Sequence, residues 1–90
     1  MIKQGFFIQM EIKQAFGVIL RYYRKKANYS QEKLAFDCNL DRTYISLLER
    51  GKRRPTLDTI FTISRALKVS PSVLVTDVEK LMVNKNSSLS

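Results

Sequence analysis

Histidine is absent from this chain, and with it go the usual general base and the commonest metal ligand. Cysteine occurs once, at Cys38, so neither an intrachain disulfide nor a cysteine-built zinc site can form. The three glycines, Gly5, Gly17 and Gly51, stand too far apart to make a phosphate-cradling loop. Carboxylates are few, eight against 16 lysines and arginines, and they are scattered singly. No apolar run reaches the length needed to span a membrane. The patch Phe6, Phe7 and Ile8 is too short for a signal-peptide core, and no cleavage site follows it. These absences argue against an enzyme, a metal or cofactor protein, and a membrane protein.

What remains is small and basic. Ninety residues with 44% apolar content suffice for one domain with a modest core. A formal net charge of +8 points to a polyanionic partner, either nucleic acid or an anionic membrane surface. The single cysteine suits a reducing compartment, hence the cytoplasm, and reads as a small buried hydrophobe.

The chain is organised around residues 30–50, SQEKLAFDCNLDRTYISLLER. Ser30 and Asp41 are N-cap residues, able to accept from unpaired N–H groups in the first turn of a helix. Tyr29 with Leu34, and Leu40 with Ile45, have hydrophobic-staple spacing around those caps. Asn39 between the two helices tolerates the left-handed backbone that ends a helix. Two capped helices joined by about three residues make a helix-turn-helix. In the second of them Ile45 and Leu48 face a core, Arg42, Thr43, Ser46 and Arg50 face outward, and Tyr44 and Leu47 lie at the margins. That outer face fits a DNA major groove, and equally an ordinary solvated surface.

In chain order, residues 1–10 read as an extension. It either packs on the domain or across a dimer, or is dispensable because translation starts at Met10. Residues 11–83 form the domain. A first helix over about 11–27 repeats Ile12, Phe16, Ile19 or Leu20, Tyr23 and Ala27, with basic residues near its C-terminus and Asn28 as its stop. After Arg50 come Gly51, a helix stop, and the cations Lys52, Arg53 and Arg54, placed where a duplex backbone would pass. A fourth helix starts at the Thr56 cap; a fifth starts at Ser70, with Pro71 in its first turn. Val73, Leu74, Val78, Leu81 and Met82 are more apolar surface than a short terminal helix needs, which suggests a dimer seam or closure of the core. Residues 84–90 read as a polar, disordered tail.

The order GlnGluLysLeuAla, IleSerLeuLeuGluArgGly, then Pro and LeuLysValSerPro resembles the lambda-repressor/Cro-type (XRE) helix-turn-helix family over about residues 16–74. AsnLeuAspArgThrTyrIleSer further resembles the recognition helix of restriction–modification controller proteins. The resemblance implies an all-α, five-helix lambda-repressor-like DNA-binding domain without cofactors. It implies a homodimer that binds double-stranded DNA at a near-palindromic operator and regulates transcription.

Carried over position by position, the resemblance gives Gln31 a phosphate contact and a bracing role. Arg42, Thr43, Tyr44, Ser46 and Leu47 fall on groove-facing positions, while Arg50, Lys52, Arg53 and Arg54 fall in the phosphate-binding loop. Arg24 and Glu49 match a structural salt bridge. Dimerisation through the last helices would engage Ile60, Ile63, Leu67, Val73, Leu74, Val78, Leu81 and Met82. Leu47 departs from the pattern, being apolar where a polar reader is frequent. Glu32 and Asp37 are either an acidic patch for RNA polymerase or plain solvated carboxylates. The alternative function is a protein-interaction module on the same fold, such as an antitoxin.

Overall fold

The structure, a computed structural model, describes residues 10–87, and side chains through Val83. The residue 6–8 patch and the last three residues of the tail lie outside the described residues. Five helices follow in order: α1 (Ile12–Lys26), α2 (Gln31–Cys38), α3 (Arg42–Glu49), α4 (Leu57–Leu67) and α5 (Pro71–Ser87). There is no strand among the described residues.

The helix starts follow from the capping side chains. Ser30 Oγ accepts from the Lys33 N–H at 2.9 Å, and Asp41 Oδ1 from the Thr43 N–H at 3.1 Å. Thr56 Oγ1 accepts from the Thr59 N–H at 3.0 Å, and Ser70 Oγ from the Val73 N–H at 3.3 Å. Such caps each contribute about 1 kcal/mol. At α1, where the cap residue is Glu11, the Gln14 side chain instead accepts from the Glu11 N–H at 2.9 Å.

The helix ends share one device. Asn28, Asn39, Gly51 and Lys68 all have positive φ, between 56° and 72°. Each closes a pair of backbone bonds of Schellman type, for example Asn39 N–H to Phe36 O and Leu40 N–H to Ala35 O. The first three are stops that the sequence announces. Lys68 is not: a lysine at φ 61° is tolerated because Val69 N–H still reaches Ser64 O at 3.0 Å.

Leu20, Leu34, Ile45, Leu48, Ile63 and Leu74 form the buried centre. In α1 Leu20, rather than Ile19, takes the inner position, on the line Phe16–Leu20–Arg24. Ile12, expected on that face, is 64% exposed. Cys38 is buried as expected, its thiol against Thr62 O, and burial pushes that thiol above its ordinary pKa.

Two expectations concern α4 and α5. Of the eight residues assigned to a dimer seam, Ile63, Leu67, Leu74 and Val78 are buried inside the chain itself. A core this small uses the inner faces of α4 and α5 completely, so those four have almost no surface left for a second copy. The exposed apolar surface lies on the flanks instead, at Leu57, Phe61, Val73, Val75 and Val83. The backbone of α5 runs to Ser87, four residues into the stretch read as a polar tail; no proline or glycine after Pro71 interrupts it.

Candidate nucleic-acid interface

α3 is held from behind. Arg24, on the inner face of α1, donates from Nε to Glu49 Oε2 at 2.5 Å and from Nη2 to Glu49 Oε1 at 3.0 Å. Its Nη1 donates to the Tyr29 carbonyl at 2.7 Å, and Gln31 Nε2 donates to Glu49 Oε1 at 3.0 Å. The Arg24 and Glu49 side chains are only 9% and 1% exposed. Desolvating this pair is tolerable because every strong donor and acceptor is matched. Among the described residues no buried side-chain nitrogen or oxygen lacks a partner.

The same network joins the end of α1, the start of α2 and the end of α3. It therefore fixes where the outer face of α3 points. Gln31 braces α3 through one amide hydrogen; its second has no partner among the described residues.

α1 also meets α3 through Gly17. A Cβ at that position would stand 2.5 Å from Leu48 O and 2.6 Å from Glu49 O. Only a hydrogen fits there, so the last carbonyls of α3 rest directly on the α1 backbone.

With Ile45 and Leu48 buried, the opposite face of α3 is open. Arg42 and Thr43 are exposed in its first turn, and Ser46 and Leu47 are half-buried along its flank. Arg50 is exposed and donates from Nε to Ser46 Oγ at 3.3 Å. Tyr44 leans toward α4, its hydroxyl 3.4 Å from Thr59 Oγ1. Lys52 and Arg53 are exposed in the loop after Gly51, with the Arg53 guanidinium over the Tyr44 ring at 5.8 Å. None of Arg42, Arg50, Lys52 or Arg53 has an acidic partner among the described residues. Their charge is available to a polyanion.

Arg54 is exposed as well, and it also lines an apolar cleft of about 280 Å³ with Ile12, Phe16, Pro55, Ile60, Val75 and Val78. On α2, Asp37 is bridged by Lys33 at 3.2 Å while Glu32 is exposed. No helix among the described residues is long and apolar enough to cross a membrane, and none of their side chains cluster as metal ligands do. Sequence reasoning missed Gly17 as a packing contact. The clue was a glycine inside an otherwise helical pattern.

A family model described as helix-turn-helix matches residues 20–74. The control protein C.BamHI of Bacillus amyloliquefaciens is 54% identical over 65 residues, 71% of this chain and 80% of that protein. Among solved structures, the restriction–modification controller C.AhdI of Aeromonas hydrophila is 40% identical. It covers 69% of this chain and 94% of its own, with a TM-score of 0.67. The controller C.Esp1396I, solved as a tetramer with its natural 35-base-pair operator, is 31% identical. It covers 83% of this chain and 99% of its own, with a TM-score of 0.74. The chain belongs to the helix-turn-helix family of DNA-binding transcription regulators, in its lambda-repressor/Cro (XRE) branch.

Proposed function

We propose that the protein is a sequence-specific regulator of the restriction–modification controller type, binding a near-palindromic operator as a homodimer. The observation that carries this is the build of α3: an open outer face, with Arg42 and Thr43 foremost, on a helix locked from behind by Arg24, Gln31 and Glu49. The C.BamHI identity and the operator complex of C.Esp1396I support the same reading.

In this mechanism α3 enters the major groove. Arg42 pairs with a guanine edge, Thr43 and Ser46 bond bases or phosphates, and Leu47 meets a thymine methyl. Tyr44 lies beside them at the margin. Gln31, Arg50, Lys52 and Arg53 hold the phosphates, so affinity falls steeply with salt. Arg54, exposed beside them, belongs to the same phosphate-binding set. A second copy docks through the exposed flanks of α4 and α5, with Ile60, Val73, Leu81 and Met82 retained from the expected seam. That sets two reading helices about 34–36 Å apart. Such a regulator works in the cytoplasm. A contact with RNA polymerase would run through Glu32, because Asp37 is already bridged by Lys33.

The test starts with duplexes selected by the protein from a random pool. These are titrated beside scrambled duplexes, with the wild type and with Arg42→Ala and Lys52→Ala. Arg42→Ala should lose roughly 1–3 kcal/mol of discrimination. Lys52→Ala should weaken both duplexes alike. Equal loss on both duplexes for Arg42→Ala would refute its assignment as the guanine reader.

A further inference from the structure

Arg53 has no acidic partner among the described residues, yet its guanidinium is not free in space, because it lies over the Tyr44 ring at 5.8 Å. Tyr44 is fastened in turn. It packs against the core, and its hydroxyl is 3.4 Å from Thr59 Oγ1. Thr59 is held by Thr56, whose hydroxyl lies 2.9 Å from Thr59 Oγ1 and accepts from the Thr59 N–H at 3.0 Å. The ring therefore spans the gap between α3 and the first turn of α4, with the Arg53 guanidinium over it.

A side chain anchored at both ends in this way has little freedom to follow base edges. A flat ring beneath a planar guanidinium does, however, fix the plane and position of that group. We propose that Tyr44 is a positioning residue: its ring holds Arg53 ready for the duplex, and Thr59 and Thr56 hold the ring. This deepens the DNA-binding reading and rests on it. An arginine free on a loop loses rotamer freedom when it meets DNA. One already stacked has lost part of it beforehand, so the bound state costs less to reach.

A double-mutant cycle on the full chain tests the proposal, using a duplex selected by the wild type and a scrambled control. The variants are Arg53→Ala, Tyr44→Leu and the double substitution, with Tyr44→Met as a second ringless replacement of similar bulk and Tyr44→Phe retaining the ring. All are measured well below their melting temperatures. Tyr44→Leu should weaken the selected duplex by about two- to fivefold, the cation–π range expected at an exposed site. Once Arg53→Ala is present, the same change should have little further effect. Tyr44→Phe, which keeps the ring under Arg53 but gives up the hydroxyl contact to Thr59, should lose less affinity than Tyr44→Leu and keep the ratio of selected to scrambled binding.

Additive losses would overturn the proposal, because they mean that Tyr44 and Arg53 act separately. So would a Tyr44→Phe loss as large as that of Tyr44→Leu, which would assign the effect to the hydroxyl. A wild type that does not distinguish selected from scrambled DNA brings down the sequence-specific reading itself. Distinct binding with an additive cycle brings down only the role of Tyr44.

Discussion

Replacing Gly17 with alanine sets two effects of opposite sign against each other. In an isolated helix alanine is better than glycine by about 0.8–1.0 kcal/mol. Here the new methyl would stand 2.5 Å from Leu48 O and 2.6 Å from Glu49 O. Both obstacles are backbone, so no side chain can rotate away. Relieving the 2.5 Å approach even to a tight contact of 3.0–3.4 Å parts α1 from α3 by roughly 0.5–0.9 Å. A gap of that size forfeits about a quarter to a half of the dispersion energy along the seam. It also stretches the Arg24–Glu49 bonds, now 2.5 and 3.0 Å.

Overpacking of this kind costs about 1–3 kcal/mol, and the upper part of that range applies because nothing beside Gly17 can yield. After subtracting the propensity gain, the net loss is about 1–2 kcal/mol. At about 4–8 °C per kcal/mol for a domain of this size, the melting temperature should fall by roughly 4–16 °C. Thermal unfolding followed by circular dichroism reads it directly. A melting temperature unchanged or raised would show that propensity wins, and that the two helices do not meet at Gly17 as described.

Further predictions concern the bonds that tie the helices together. Glu49→Ala leaves Arg24 charged and almost buried, so urea unfolding should show a loss of about 3–5 kcal/mol. The double change Arg24→Met with Glu49→Leu should cost less than Glu49→Ala alone; if it costs more, the pair stabilises the fold beyond its own desolvation. Tyr23 on α1 donates its hydroxyl to Asp77 on α5. That bond, followed by burial and the Asp77 charge, pushes the phenol from 10.0 up to about 12. Because the folded protein holds this proton more tightly than the unfolded chain, its stabilisation is complete below pH 10 and is lost as pH rises toward 12. Stability should therefore decline across pH 10–12, and Tyr23→Phe should flatten that decline. Ultraviolet titration of the phenols should lose its latest step in the same variant.

The local grammar of this protein is written in its sequence. A cap reaches two or three residues ahead and a Schellman turn closes within five or six, so Ser30, Asp41, Thr56 and Ser70 mark helix starts without any knowledge of the fold. Asn28, Asn39 and Gly51 mark the stops for the same reason. The outward set Arg42, Thr43, Ser46 and Arg50 also follows from periodicity alone, once Ile45 and Leu48 are taken as core.

Partnerships across the chain were not legible that way. Arg24 and Glu49 are 25 residues apart, and family resemblance, rather than spacing, is what suggested their bridge. Gly17 read as an unremarkable helical glycine until α3 was laid on it. The left-handed turn at Lys68 had no residue to announce it. An amphipathic pattern says that a face is apolar, but not whether the chain itself or another molecule covers it. Hence Ile63, Leu67, Leu74 and Val78 went to the chain's own core, and the exposed apolar surface of α4 and α5 fell to Leu57, Phe61, Val73, Val75 and Val83. That allocation depends on how much surface five helices can bury against one another in three dimensions, a quantity no single segment contains.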